Sequence, residues 1–236
     1  MHFGRKVNYI DPLQVEMHEH AFYLQHVHPG DIIFDVGANV GELTLLFSHF
    51  AGSKGQIHAF EPTPSTFQRL AATVRNFNRN NVKINNVAVN DKSGFVTFNV
   101  YEEAYASWNT MATRPLENYG VNIDAPNAIQ VAAVTIDEYC YNENIKEISL
   151  LKIDVEGAEL NVLEGASKMF KEKKVRLCAF EFGQTIHDMG KSGDDFRRFF
   201  DQHGYQIRNI VKGQAVFPVD SETNAAFFSI HFSKPK

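Results

Sequence analysis

The stretch that most constrains the fold is DIIFDVGANVG, residues 31–41. Its first half is a short run of β-branched and aromatic residues that ends around Asp35, which predicts one buried strand. A glycine-containing turn follows, and Glu42–Phe50 has apolar residues at spacings of three and four, which predicts a helix. A strand, a glycine turn and a helix together form a ligand cradle. The backbone can approach a ligand closely where there is no Cβ, and helix-terminal N–H groups point into the crevice. The stretch therefore predicts an α/β fold with a ligand site at the end of this strand.

The spacing of the glycines narrows the choice of ligand. A dinucleotide-binding turn needs a glycine at the middle position of its fingerprint, and Asn39 stands there, between Gly37 and Gly41. A P-loop is excluded because no Gly-Lys-Ser/Thr follows. The pattern DVGANVG instead resembles the first motif of class I S-adenosylmethionine-dependent methyltransferases, in which this turn wraps the amino-acid end of the cofactor. The alternative is an ordinary tight turn between a strand and a helix.

Length and charge limit the domain organisation and the partners. A chain of 236 residues fits one large α/β domain, and we predict an N-terminal helical extension over 1–30 and a methyltransferase domain over 31–236. Hydrophobic residues make up 44% of the chain, enough to form a substantial core. The formal net charge of -5, without a basic block, argues against a nucleic-acid partner.

The sequence also predicts a cytoplasmic protein without a membrane partner. No stretch approaches the ~18 apolar residues that a transmembrane helix needs, and the N-terminus lacks the apolar core of a signal peptide. Cys178 lies inside the apolar run Val175–Phe182, so we expect a buried free thiol rather than a disulfide with Cys140. Pro12 could begin a helix that runs to about Val27 and lies over the cofactor crevice.

A carboxylate follows the second predicted strand, Gln56–Phe60. Glu61 comes about 20 residues after Gly41, where a nucleotide-binding sheet places an acid on the ribose. A carboxylate can accept hydrogen bonds from both ribose hydroxyls, which suits adenosine. Glu61 and the adjacent Pro62 are therefore predicted to contact the cofactor; the alternative for Glu61 is a solvated residue at a strand end.

The next segments are predicted to complete the cofactor site and to cover it. A third strand, Val82–Val89, would place Asn86, Val87 and Ala88 beside the adenine, and Gly94–Tyr101 alternates like an added edge strand. The irregular segment Glu102–Asn127 contains the only tryptophan, Trp108, next to Asn109. A loop of this length in a compact domain is usually functional or mobile, so we predict a substrate lid in which Trp108 stacks on a sugar ring. Trp108 could instead anchor the loop to the domain.

Acidic residues gather in the second informative block, ISLLKIDVEGAEL, residues 148–160. Its apolar half predicts a buried strand that ends near Asp154, followed closely by Glu156 and Glu159. Open α/β sheets bind ligands at this edge, and clustered carboxylates repel one another unless a cation, a donor or a proton offsets their charge. The strand Val175–Phe182 brings Glu181 to the same edge, with His187 just beyond it.

Together, the blocks DVGANVG, FEPTPSTFQRL, TIDEY and LLKIDVEGAELNVLEGA resemble, in order and spacing, the FkbM family of methyltransferases. The resemblance covers roughly residues 31–182 and implies a class I fold that uses S-adenosylmethionine. By position, it implies that Asp35, Gly37, Asn39, Gly41 and Glu61 hold the cofactor and that Asp154 and Glu156 line the reaction centre. The remaining predicted cofactor residues are Ala38, Pro62, Asn86, Val87 and Ala88.

The expected fold is a Rossmann-like, mostly parallel sheet of seven strands flanked by helices, with one antiparallel strand in its final hairpin. The expected reaction is methyl transfer from S-adenosylmethionine to a hydroxyl of a sugar, glycan or natural product. Such a hydroxyl needs a proton acceptor, and the candidates are Asp154, Glu156, Glu181 and His187. In a second mechanism, Asp154, Glu156 and Glu181 would bind Mg²⁺ together with a substrate diol, although Mg²⁺ is not expected.

A different class of function is a binding or scaffold protein that keeps the methyltransferase fold without catalysis. The intact glycine turn and Glu61 argue against it, because a decayed cofactor site should lose one of them. A nicotinamide dehydrogenase is disfavoured by Asn39. These comparisons favour an O-methyltransferase that acts on a small molecule or a glycan.

Overall fold

The computed structural model describes residues 12–102, 105, 108–112, 114–119, 123–217 and 228–236. Within these ranges the strands are β1 (Ile32–Val36), β2 (Gln56–Phe60), β3 (Val82–Asn85), β4 (Ala88–Val89), β5 (Gly94–Val100), β6 (Asn127–Val134), β7 (Leu150–Ile153), β8 (Cys178–Gly183), β9 (Tyr205–Asn209) and β10 (Phe228–Pro235). The helices are α1 (Pro12–His26), α2 (Glu42–Ala51), α3 (Pro64–Asn76), α4 (Ile136–Asn142), α5 (Glu159–Glu164), α6 (Ser167–Lys171), α7 (Gln184–Asp188) and α8 (Gly193–Gln202). Short 3₁₀ turns lie at Gly52–Lys54 and Leu116–Tyr119.

The main sheet has seven strands in the order β3-β2-β1-β7-β8-β10-β9. The first five strands are parallel to one another, and β10 is antiparallel to both β8 and β9. This arrangement confirms the predicted sheet and its one antiparallel strand. The chain reverses its winding direction between β1 and β7, and in open α/β sheets a crevice opens there at the carboxyl ends of the strands.

A second sheet corrects two predictions of strand placement. The predicted third strand is split: β3 stays in the main sheet, whereas β4 joins a three-stranded sheet with the order β4-β6-β5. The split follows Asn86, whose side-chain amide donates to the backbone oxygens of Glu61 (2.9 Å) and Pro62 (3.0 Å) and ties the chain there. Gly94–Val100 is an edge strand as predicted, but of the second sheet and not of the main one.

Apolar side chains alternate between the two faces of the main sheet and form a core on each. Phe34, Leu151 and Phe180 belong to the core that packs under α4, α5, α6 and α8, and Ile33 and Ile57 belong to the core under α1 and α2. Both cysteines are free and buried, as predicted. In the described part of the chain, no helix combines the length and apolar character needed to cross a membrane.

Candidate active site

The turn after β1 is shaped by the neighbouring strand end. Gly37 has φ +79°, and a Cβ on it would lie 1.7 Å from the backbone oxygen of Asp154. Gly41 has φ +95°, and its Cβ would lie 2.7 Å from Cδ1 of Leu70 in α3. Both glycines lie in the left-handed region, and at Gly37 the approach of the Asp154 backbone also leaves no room for a Cβ.

The N–H groups of this turn are largely used by the protein. Gly37 and Ala38 donate to the backbone oxygen of Phe60 (3.1 and 2.9 Å), and Gly41 donates to Ala38 (2.9 Å). Asn39, held at φ +49°, donates its N–H to Oε2 of Glu61 at 3.2 Å. These four hydrogen bonds fix the shape of the turn that precedes α2.

A buried lysine, Lys152, supports the turn from below. Lys152, 3% exposed, donates from Nζ to the backbone oxygen of Gly37 at 2.9 Å. Its Nζ also lies 3.4 Å from Oδ1 of Asp35 and 3.5 Å from Oδ2 of Asp154. Burial lowers the pKa of Lys152, but Asp154 and Asp35 outweigh this effect and raise it above its usual value. The signal in the sequence was a charged residue inside the apolar strand LLKI.

Two cavities open at the carboxyl ends of the parallel strands. The smaller one, the cofactor cavity, has a volume of about 120 Å³. Its lining includes predicted residues and further apolar side chains: Gly37, Asn39, Glu61, Pro62, Val87, Ala88, Asn109, Asp154 and Glu156, together with Val36, Phe60, Val89, Phe98, Met111 and Val155. The other predicted cofactor residues, Asp35, Ala38, Gly41 and Asn86, do not line this cavity. Asp35 is fully buried and accepts from Thr44 (2.5 Å), whereas Asn86 is exposed.

Glu61 has the geometry expected of a ribose-binding carboxylate. It is 7% exposed, and burial raises its pKa although backbone N–H groups act in the opposite direction. Oε1 accepts from the N–H of Thr63 (2.8 Å) and Oε2 from that of Asn39 (3.2 Å). Each carboxylate oxygen can accept a second hydrogen bond, so two hydroxyls can still be bound. A carboxylate beside apolar walls fits the adenosine part of S-adenosylmethionine.

The larger cavity, the acceptor cavity, has a volume of about 370 Å³ and adjoins the first. Its lining residues come from α1, β7, β8, α7, β10 and the predicted lid segment: Glu16, Glu19, Tyr23, Trp108, Arg114, Ile153, Asp154, Glu156, Phe180, Glu181, Gln184, Thr185, Phe228 and Ile230. Asp154 and Glu156 line both cavities. The helix α1 therefore borders the acceptor cavity, and none of its described residues lines the cofactor cavity; that it covers bound cofactor stays a prediction.

The carboxylates at this junction have perturbed acidities. Burial, and next the charge of Asp154, raises the pKa of Glu156 to about 8, while Arg114, 3.9 Å away, lowers it. Burial, Asp154 and Glu156 raise the pKa of Glu181 well above its usual range. Carboxyl groups with pKa values near neutrality are typical of proton-transfer sites.

The third acid of the sequence cluster has a structural role. Glu159 is buried and accepts hydrogen bonds from the N–H groups of Val155 (3.0 Å) and Gly157 (3.0 Å), which holds the turn between β7 and α5. In the described ranges, no three His, Cys, Asp or Glu side chains are grouped as a metal site would need. The Mg²⁺ hypothesis requires Asp154, Glu156 and Glu181 to form such a group, and the described residues do not form one.

His187 is not brought into the site. Its side chain is exposed, does not line either cavity, and packs edge-on against Phe182 with ring centroids 5.5 Å apart. The short helix α7 turns Thr185 and Ile186 inward, which leaves His187 on the outer face. Its placement gives no support to a role as general base.

The predicted lid residues border different cavities. Trp108 lines the acceptor cavity, and the guanidinium of Arg114 lies 5.2 Å from its ring centroid. Asn109 lines the cofactor cavity and donates to Oγ1 of Thr63 at 3.3 Å. Thr110 donates to the backbone oxygen of Glu156 at 2.6 Å. The segment thus contacts both sides of the junction; that it acts as a lid stays a prediction.

Comparisons with a family model and with known proteins identify the same family. The family described as the methyltransferase FkbM domain matches residues 35–207. The 31-O-demethyl-FK506 methyltransferase FkbM of Streptomyces tacrolimicus is 33% identical over 210 residues, covering 78% of this chain and 77% of the relative. The hexuronic acid methyltransferase AglP of Haloferax volcanii is 22% identical over 169 residues, 71% of this chain and 63% of the relative.

A solved structure agrees with the fold. The crystal structure of methyltransferase FkbM from Methylobacillus flagellatus KT aligns with a TM-score of 0.53 at 14% identity, covering 91% of this chain and 50% of that one. The glycine turn, Glu61 and the acidic strand end all lie within the matched residues. The chain belongs to the FkbM family of S-adenosylmethionine-dependent methyltransferases.

Proposed function

We propose that this enzyme transfers a methyl group from S-adenosylmethionine to a hydroxyl of a sugar-like or natural-product acceptor. The observation that carries the proposal is the meeting of two cavities at Asp154 and Glu156. Methyl transfer is an in-line displacement, so the donor and the acceptor must face each other across a narrow junction. Adjoining cavities with shared walls meet that requirement.

The cofactor cavity would receive the adenosine part of S-adenosylmethionine, whose sulfonium supplies a reactive methyl group. Glu61 would bind the ribose hydroxyls, and Val87 and Ala88 would contact the adenine. Lys152 donates to the backbone oxygen of Gly37 and lies 3.4 Å from Asp35 and 3.5 Å from Asp154, which supports the turn from below. These residues bind and orient, which for this reaction is the main contribution that a protein makes.

We assign the general base to Glu156. It lines both cavities, its φ of +55° fixes its backbone in the left-handed region, and Thr110 holds its carbonyl. Its raised pKa makes the ionised carboxylate a stronger proton acceptor than an exposed glutamate. Asp154 is engaged by Lys152 at 3.5 Å and is better suited to hydrogen-bonding the acceptor.

The name of one relative, which acts on 31-O-demethyl-FK506, supports transfer to an oxygen of a natural product, and the name of the other, a hexuronic acid methyltransferase, supports a sugar-like acceptor. Trp108 supports a ring-shaped acceptor, because an aromatic face at the cavity wall can stack on a sugar. The other aromatic walls, Phe180 and Phe228, would exclude water from the reacting hydroxyl.

The test begins with titration calorimetry of the protein with S-adenosylmethionine and S-adenosylhomocysteine, each with and without Mg²⁺. Micromolar binding is expected in both conditions. Production of S-adenosylhomocysteine is then measured with hydroxylated acceptors, and transfer to an oxygen is verified by mass spectrometry. Absence of cofactor binding, or transfer only to nitrogen or carbon, would overturn the proposal.

A further inference from the structure

Among its described lining residues, the acceptor cavity has many more acidic than basic side chains. These include five carboxylates, from Glu16, Glu19, Asp154, Glu156 and Glu181, and a single guanidinium, from Arg114. That guanidinium, with its side chain 2% exposed, is shared between Glu156 (3.9 Å) and Asp188 (3.8 Å). Within the described ranges, Arg114 on the lining and Lys152, whose Nζ lies 3.5 Å from Asp154, are two cations beside these five acids.

Part of this charge comes from the N-terminal helix. Glu16, Glu19 and Tyr23 of α1 line the cavity, and α1 lies before the residues 35–207 that match the family. The hydroxyl of Tyr23 donates to Oε1 of Glu19 at 2.8 Å, and its ring packs edge-on against Phe47 at 5.0 Å. Glu19 is therefore held in place by a buried anchor rather than left free to turn into solvent.

The position of these acids relative to the junction is also informative. Asp154 and Glu156 face both cavities, whereas Glu16, Glu19 and Glu181 line the acceptor cavity alone. An acceptor whose hydroxyl lies at the junction therefore extends toward Glu19 and Glu181. Any group on that part of the acceptor meets two or three carboxylates.

We propose that the acceptor carries a protonated amine, as an amino sugar does, and that Glu19 and Glu181 bind this ammonium while a hydroxyl of the same molecule faces Glu156. This inference rests on the proposed function and adds the substrate class. An ammonium has three N–H donors and forms charge-assisted hydrogen bonds with carboxylates, which are about twice as strong as neutral ones.

The electrostatics of the acceptor cavity support this choice. Burial raises the pKa of Glu19 to about 7, and Asp154 adds to this while Lys152 opposes it. Burial and the acids around it raise the pKa of Glu181 as well. Such shifts mean that the ionised forms are unfavourable as they stand, and a bound cation would relieve this. A neutral sugar would not relieve it, and an acidic sugar would add one more negative charge.

The test uses matched sugars and protein loaded with S-adenosylhomocysteine. Calorimetry compares glucosamine and its β-linked disaccharide with glucose and cellobiose, which carry hydroxyls in place of the amines, and with glucuronic acid. The amino sugars are expected to bind at least about tenfold more tightly than their neutral counterparts, the equivalent of about 1.4 kcal/mol. Glucuronic acid is expected to bind most weakly.

Two variants test whether Glu19 and Glu181 cause the preference for the amine. Glu19→Gln and Glu181→Gln should each remove most of the preference for the amine and keep the affinity for S-adenosylhomocysteine. Glu147→Gln, an exposed glutamate outside both cavities, is the matched control and should keep the preference.

The possible outcomes separate the two proposals. If S-adenosylhomocysteine binds but the amino sugars have no advantage over glucose and cellobiose, the inference is overturned and the proposed function stands. If S-adenosylhomocysteine does not bind, the proposed function itself fails. A preference for amines that survives in both glutamine variants would also overturn the assignment to Glu19 and Glu181.

Discussion

Replacing Glu61 by glutamine tests the cofactor site most directly. The change keeps the size of the side chain and one acceptor oxygen, but it removes the charge and converts the other oxygen into a donor. A hydrogen bond to a charged group contributes about 1.5–3 kcal/mol, so the loss of one ribose contact and the weakening of the second should cost about 2 kcal/mol. This corresponds to a roughly thirtyfold loss of affinity for S-adenosylhomocysteine.

The same change has a second, separable effect on stability. Both carboxylate oxygens accept a backbone N–H, from Thr63 and Asn39, so the new amide nitrogen must face one of these donors. Leaving such a buried donor without its acceptor costs about 1–3 kcal/mol of the free energy of unfolding. Urea unfolding without ligand measures this cost independently of binding.

The assay is titration calorimetry with S-adenosylhomocysteine, which binds without turnover, on wild type, Glu61→Gln and the control Glu147→Gln. The control should match wild type in both affinity and stability. An affinity of the folded Glu61→Gln variant within twofold of wild type would refute the reasoning, and Glu61 would then serve only to hold the turn.

Three further predictions concern the base, the turn and the buried charges. The kcat/KM for methyl transfer should rise with pH and level off above about 8, because Glu156, whose pKa burial and Asp154 raise to about 8, accepts a proton only when ionised. Glu156→Gln should be slower by about 10²–10⁴-fold without this pH dependence, and a wild-type rate that is flat from pH 6 to 9 would contradict the assignment. Gly37→Ala should lower the free energy of unfolding in urea by about 2–5 kcal/mol, because its Cβ would meet the backbone of Asp154. The control Gly213→Ala has φ +88° and nothing within 4 Å of the added Cβ, so it should lose only the backbone cost of about 1–2 kcal/mol. Equal losses for the two glycines would disprove the close approach. Lys152→Met should lower the free energy of unfolding by about 3–5 kcal/mol, because it leaves the carboxylate of Asp35 buried without a counter-charge. Adding Asp35→Asn should restore part of this loss. No recovery in the double variant would argue against the pair.

The sequence by itself determined the local elements and the chemistry at their ends. The strand and helix around Gly37, the carboxylate at Glu61 and the acids at Asp154 and Glu156 could all be read from short patterns, because hydrophobic periodicity and turn residues act over a few neighbouring positions. In a parallel sheet, residues that follow different strands meet at one edge. That rule alone brought Glu61 and Asp154 to the wall of one cavity.

Tertiary structure decided the contacts that join distant segments. Gly37 must be glycine because Asp154 approaches it, and Lys152 supports its carbonyl; both contacts join parts of the chain more than a hundred residues apart. The outward turn of His187 depends on which face of α7 is buried, and a five-residue helix is too short to show this by periodicity. The position of α1 over the acceptor cavity is fixed by packing such as that of Tyr23 on Phe47. Patterns in sequence report which residues prefer burial, but the partner that buries them is chosen only when the whole chain packs.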